Sequence, residues 1–283
     1  MMKCRQITTF CADGEAIVKE QVLPVTREAD EPVHLESGVI NLYPEITYQE
    51  IEGFGCAITE TSAYLLSGME EAARRDILQK FFGKDGSRLH FIRTHIDSCD
   101  YSLEEYQAVK DPLQDPELLT FSLERDRKYI LPVLKEALDI SRESGNGEMA
   151  VLLSPWSPPY QWKTPPARPK NDAGVYGGPG HEMKVDYTTP SRNNGGSLKP
   201  EYYGSWAKYL VKYIQAYLDE GVPVTMLTMQ NESIAATNWD SCVWTAEKQK
   251  TFLKEFLYPE MKRAGLAEKV GIYIWDHNKE RVL

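Results

Sequence analysis

From residue 53 onward, short apolar runs alternate with stretches whose apolar residues recur every three or four positions. The first pattern predicts buried strands and the second amphipathic helices. Gly53 to Ile58 (GFGCAI) reads as a short strand, and Glu60 to Phe82 follows as one helix through Leu65, Leu66, Met69, Ile77, Leu78 and Phe81. Leu89 to Ile96 is the next strand. Ser122 to Ser144 is helical, with Ile130, Leu134 and Leu138 in step, and Pro132 either kinks it or marks its first turn. Met149 to Ser154 is a third strand, and Pro155 to Pro200 a long loop rich in proline and glycine. Trp206, Leu210, Tyr213, Ile214 and Tyr217 mark a helix before a fourth strand, Pro223 to Met229. Thr245 is an N-cap candidate for a helix carrying Phe252, Leu253, Phe256 and Leu257, and Val270 to Trp275 is a fifth strand.

This alternation predicts an α/β fold with a parallel sheet. Strands starting near 53, 88, 149, 223 and 269 give a mean spacing of about 54 residues per βα unit. The first fifty residues break the rhythm. The stretch SGVINLYPEITYQEI (37–51) alternates like an exposed strand, so residues 1–50 are expected to form a β segment of an accessory domain and residues 51–283 the α/β body.

Composition narrows the function. The net charge of −10 argues against a nucleic-acid partner, because phosphate binding needs Lys and Arg. No apolar run approaches the length of a membrane span, so no integral membrane segment is expected. The N-terminal residues hold no signal-peptide core, and the five cysteines include no CxxC pair. A cytoplasmic location with free thiols is the expectation. The five histidines show no HExxH or paired spacing, so neither a metal nor another cofactor is expected. No phosphate loop or GxSxG elbow is present. Abundant tyrosine and tryptophan in an acidic protein suit a neutral, hydroxyl-rich ligand.

Chemistry gathers where the strands end. Asp97 to Ser102, then Ser154 to Pro159 with Trp162-Lys163-Thr164, then Gln230-Asn231-Glu232-Ser233, then Trp275-Asp276-His277-Asn278 each follow a strand. Parallel α/β folds bind ligands at the carboxyl ends of their strands. One Asn-Glu alone is an ordinary solvated loop; four consecutive endings of this kind form a site. A carboxyl beside a side-chain amide, as in Asn231-Glu232, suits acid/base work on a sugar: the amide holds a hydroxyl while the acid reaches the glycosidic oxygen. Trp156 offers an apolar platform for a sugar face, and Asp100 can accept from sugar hydroxyls.

GFGCAITE (53–60), IRTHIDSCDYS (92–102), LLSPWSPPYQWKT (152–164), GSLKPEYYGSWAKYLVKYIQAY (196–217) and TMQNES (228–233) together resemble glycoside hydrolase family 30, which includes the glucosylceramidases. The resemblance runs from about residue 45 to 283. It implies a retaining β-glycosidase on a (β/α)8 TIM barrel fused to a β-sandwich side domain, acting on a β-glycoside substrate, glycolipid or oligosaccharide. Carried over by block, Glu232 falls on the general acid/base, Asn231 on the residue that binds the 2-hydroxyl, Asp100 and Trp156 on contacts to the non-reducing sugar, and Arg93 on a supporting arginine. Trp244 is a loop candidate for substrate binding, and Asp276 is expected to contact sugar or order the site.

The chain departs from the family pattern at two points: Ser233 stands where Asn-Glu-Pro is usual, and Cys56 where Gly-Gly is usual. Asn231-Glu-Ser233 is formally a glycosylation sequon, discounted because catalysis needs the position. The family nucleophile, a glutamate after the seventh strand, has no counterpart here. With about five βα units present, three more would need about 160 residues, so the expectation is an incomplete barrel and a fragment lacking its nucleophile. A non-catalytic or degenerate sugar-binding protein is the alternative, and within enzymes a β-1,6-glucanase or a β-xylosidase.

Overall fold

The computed structural model describes residues 3–12, 15–24, 43–164, 193–237 and 239–278. The chain divides into two compact units, Met1–Ile51 and Glu52–Leu283. The first contains a hairpin, β1 (Lys3–Ala12) against β2 (Glu15–Pro24), in register from Lys3↔Pro24 to Ala12↔Glu15. This hairpin was not anticipated, although Asp13-Gly14 between two alternating runs is its usual turn signal. The strand expected at 37–51 is corrected: residues 43–51 are turn and coil, and 37–42 lie outside the described residues. An alternating pattern without a partner edge does not pair.

The second unit carries a five-stranded parallel sheet in the order β3 (Gly55–Ala57), β4 (Phe91–Ile96), β5 (Ala150–Pro155), β6 (Val224–Thr228), β7 (Gly271–Tyr273). Strand order follows chain order and every pair is parallel, the arrangement of an arc of a (β/α)8 barrel that does not close among the described residues. Gly55 is required at the β3–β4 contact, since a Cβ there would lie 2.5 Å from the Phe91 carbonyl oxygen. Ile92, Val151, Leu153, Val224 and Leu227 are buried in the core with the helices' apolar faces. Between them, Arg93, Leu152, Met226 and Thr228 line a groove of about 560 Å³ on the sheet, with Cys56 and Tyr273. Among the described residues no helix is long and apolar enough to cross a membrane.

The helix expected at 60–82 is two: α1 (Glu60–Ser67), capped by the reciprocal Thr59–Ser62 box, and α2 (Glu71–Phe82). Gly68 ends the first, its N–H reaching back to the Leu65 carbonyl. The next helix also splits, into α3 (Glu124–Lys128) and α4 (Ile130–Glu143). Pro132 falls in the first turn of α4, where its missing N–H costs nothing, and its ring excludes a continuous helix past the carbonyl four residues back. Then α5 (Tyr203–Asp219) buries Trp206, Tyr209, Leu210, Tyr213, Ile214 and Tyr217 on one stripe. Thr245 caps α6 (Ala246–Phe252) by accepting from Lys248 N–H. A single π turn, Leu253–Leu257, leads into α7 (Tyr258–Arg263). Pro259 near the start of α7 lacks an N–H, and the wider turn removes the need for one.

Three tyrosines one turn apart on α5 reach buried acids. Tyr209 donates to Asp97, while Tyr213 and Tyr217 bond Asp126 at 2.9 and 2.6 Å. Burial pushes the Asp126 carboxyl up to about 6 and Asp97 to about 8, against partial relief from these hydroxyls. Burial holds His95 at about 4, so it is neutral near pH 7. A carboxyl raised in the folded state favours folding at low pH, and that contribution is lost as pH rises through its folded value. Between pH 6.5 and 8 Asp97 makes the largest contribution of the three: Asp126 is already mostly ionised, and the imidazole of His95, neutral in the folded protein, loses only its remaining unfolded-state proton, a smaller effect of opposite sign. Stability is expected to fall across this window by on the order of 1 kcal/mol. Calorimetric melts should show that slope flattened in Asp97→Asn; an unchanged slope would refute the assignment.

Candidate active site

The site forms where β4, β5, β6 and β7 end. Arg93 is central. It rises from the inner face of β4, and its Nη2 donates to Asn231 Oδ1 at 2.7 Å, Asp276 Oδ2 at 2.7 Å and Ser154 Oγ at 3.0 Å. Ser154 and Thr228, inward-facing on β5 and β6, extend the network: Thr228 Oγ1 donates to Ser154 Oγ at 2.7 Å, and Ser154 Oγ to Asp276 at 3.1 Å. One guanidinium therefore fixes both the Asn231 amide and the Asp276 carboxylate, leaving the amide nitrogen of Asn231 available to a ligand. Arg93 and Asp276 keep side-chain exposures of 26% and 29%, so the pair is partly desolvated and stronger than a surface ion pair.

Glu232 follows directly. Its backbone adopts φ +45°, a left-handed conformation that a glutamate enters only when held there. Three backbone bonds hold it: Asn231 N–H to the Pro155 carbonyl, Glu232 N–H to the Asp276 carbonyl, and Ala235 N–H to the Glu232 carbonyl, each at 2.8 Å. Trp275, in the neighbouring segment, has φ +60°. Pairing thus persists for one bridge, Asn231↔Asp276, beyond the named strands and then breaks sharply. The Glu232 side chain is half-buried at this break.

Asp100 follows β4, near enough to the Trp156 side chain for the indole N–H to oppose the rise of its carboxyl. Burial raises its carboxyl, and the charges of Asp240 and Glu232 add to the rise. Glu232 therefore lies within electrostatic reach of Asp100. Trp156 differs from the expected open platform. It is 7% exposed, and the Arg93 guanidinium lies 4.4 Å from its ring centroid, occupying one face.

Trp244 is also placed differently from a substrate-facing loop residue. It is 2% exposed and packs against Tyr203 and Phe252. Its indole N–H donates to Gln230 Oε1 at 3.3 Å, and the Gln230 amide donates to the carbonyls of Trp156 and Asn231 at 2.5 and 2.9 Å. Gln230 thus couples three candidate residues. Sequence reading placed it in the motif without a role, because a glutamine's partners are all brought by tertiary contacts. Ser233, at the departure from Asn-Glu-Pro, is 1% exposed, and its hydroxyl has no partner among the described residues. A glycan on Asn231 would occupy the amide nitrogen, the atom that Arg93 leaves open to a ligand, which agrees with discounting the sequon. Residues 165–192 of the long loop lie outside the described residues. Among the described residues no three His, Cys, Asp or Glu side chains are grouped to hold a metal ion.

The sequence matches the glycosyl hydrolase family 30 TIM-barrel domain over residues 51–282. It is 28% identical to the lysosomal acid glucosylceramidase of Mus musculus over 237 residues, covering 80% of this chain and 40% of that protein. Among solved structures it resembles SrfJ from Salmonella typhimurium (TM-score 0.77, 28% identity, 99% of this chain and 55% of that one). It also resembles the endo-beta1,6-glucanase BT3312 (TM-score 0.67, 34% identity, 84% of this chain and 46% of that one). The chain spans about two fifths of the length of the curated relatives it matches.

Proposed function

The chain belongs to glycoside hydrolase family 30, and we propose that it supplies one catalytic carboxyl and the sugar-binding face of a retaining β-glycosidase. The members of this family are glycoside hydrolases acting on O-glycosyl bonds. In this reading Glu232 protonates the glycosidic oxygen as it leaves and then activates the water that releases the sugar. The observation that carries it is the geometry of the β6 end. Glu232 is held in a left-handed turn beside an Asn231 whose carbonyl oxygen Arg93 has already claimed. The free amide nitrogen then faces a sugar hydroxyl, and the acid is aimed from the same turn.

Double displacement needs a second carboxylate about 5 Å away. Asp276 is committed to Arg93 and Ser154, and burial raises the Asp100 carboxyl, which disfavours the ionised form a nucleophile needs. We therefore assign the nucleophile to an element outside the five strands described. The substrate we propose is a β-linked glucosyl group. Relatives named for glucosylceramide and for β-1,6-glucan support a shared glucosyl side with differing aglycones. The hairpin of the first unit we assign to an accessory β-sandwich.

The test is stereochemical. With p-nitrophenyl β-glucoside, β-xyloside and β-fucoside offered to the active enzyme, the glucoside should turn over fastest. Proton NMR should show the β-anomer appearing before mutarotation. Initial release of the α-anomer would exclude retention, and preference for the xyloside would exclude a glucosyl substrate.

A further inference from the structure

Outside the residues that meet a ligand, one buried cation among the described residues has no place in the mechanism so far. Lys163 is 5% exposed, and burial pushes its ammonium down to about 8, so it still carries its charge near pH 7. Its Nζ donates to the carbonyls of Asn193, of Gly195 at 2.9 Å and of Ser241 at 2.8 Å. An ammonium has three N–H groups, and all three are used on backbone. The carbonyls come from two segments, the end of the long loop and the loop after β6, while Lys163 itself follows β5. Asp240, buried beside Ser241, supplies the opposite charge and accepts from Ser98 at 2.8 Å and from Asn193 at 3.1 Å.

The tie continues to the acid. Two residues beyond Ser241, Val243 N–H bonds the Gly196 carbonyl at 2.7 Å, and Trp244 N–H bonds the Ser233 carbonyl at 2.7 Å. Trp244 then holds Gln230, which holds the Asn231 carbonyl. The path from Lys163 to Glu232 is therefore a continuous run of hydrogen bonds and short backbone links. Among the described residues no other buried cation lies on that path.

We infer that Lys163 is a positioning residue: a built-in cation that ties the loops after β5 and β6 and so keeps the Ser233–Trp244 arm, and with it Glu232, in its catalytic orientation. This deepens the reading of Glu232 as the acid and rests on it. Removing the side chain leaves three carbonyls converging on a space that suits a small monovalent cation. Ammonium should therefore replace what the lysine did, whereas sodium, which is smaller and holds its water more tightly, should not.

The experiment labels the protein with 5-fluorotryptophan and follows the Trp244 and Trp206 resonances, assigned with Trp244→Phe and Trp206→Phe. In Lys163→Ala the Trp244 signal should shift or broaden while Trp206, fully buried on α5, stays in place. Ammonium chloride, but not sodium chloride at equal ionic strength, should restore it. An unmoved Trp244 signal, or equal restoration by both salts, would overturn the inference. So would joint movement of Trp206 without rescue, since Lys163 would then serve folding only. In the active enzyme, kcat of Lys163→Ala on an alkyl β-glucoside should fall about tenfold with KM little changed, and much less on dinitrophenyl β-glucoside, because only the former needs the aimed acid. Equal losses on both substrates would overturn the link to Glu232. Should Glu232→Gln itself show no dependence on the leaving group, the proposed function fails, while the Trp244 resonance still decides what Lys163 does.

Discussion

Glu232→Gln should lower hydrolysis of alkyl and sugar β-glucosides by about 10²–10⁴-fold while leaving formation of the glycosyl-enzyme from dinitrophenyl β-glucoside nearly intact. The argument rests on what the substitution changes. Glutamine is close in size to glutamate, so the left-handed turn and its three backbone bonds at residues 231, 232 and 235 remain. What is lost is the proton. A poor leaving group cannot depart without it, whereas dinitrophenolate leaves unaided. Deglycosylation also loses its base, so the activated substrate should give a burst followed by a slow steady state. Pre-steady-state absorbance measures both phases. Equal loss on both substrate types, with no burst, would remove Glu232 from the acid/base role.

Arg93→Met should cost about a hundredfold in kcat/KM, or roughly 3 kcal/mol, the lower end of what breaking a buried ion pair costs because this pair is partly open to solvent. Methionine keeps most of the apolar volume against Trp156 but donates nothing. Asp276 then loses its cation, Asn231 can rotate, and the Ser154 hydroxyl loses a donor. The double variant Arg93→Met, Asp276→Asn should be more stable than Arg93→Met alone, because the second change removes the stranded charge. Arg93→Lys should rescue little, since an ammonium cannot span Asn231, Asp276 and the Trp156 face together. Steady-state kinetics with thermal melts of the wild type, Arg93→Met, Asp276→Asn, the double variant and Arg93→Lys measures this. Additive effects of the two substitutions would mean that the 2.7 Å pair does not couple them.

Much of the molecule was legible along the chain because its signals are local. Strands β4, β5 and β6 appear within two residues of their expected places, since a run of apolar β-branched residues needs only its own neighbours to be extended. The cap at Thr245 was readable for the same reason. The break at Gly68 is written in a single residue that a longer apolar period masks, whereas Pro132 marks the first turn of α4 in the sequence itself. The hairpin of the first unit was missed although Asp13-Gly14 marks it, because the nearby alternation at 37–51 drew the strand assignment.

The candidate site divides along the same line. Strand ends carrying Asp100, Trp156, Asn231-Glu232 and Asp276 follow from order in the chain, because a parallel α/β arrangement puts every such end on one side of the sheet. The partners do not follow. Arg93 meets Asn231 and Asp276 across separations of 138 and 183 residues, and Trp156 loses one open face to the same guanidinium. Lys163 finds carbonyls up to 78 residues away. By itself, the sequence determined which residues stand at the ends of the strands, through periodicities that act over a few positions. Only the tertiary structure decided which of them hold and which remain open to a ligand. A buried charge takes whatever partner the packed backbone brings within about 3 Å, and sequence spacing does not contain that distance.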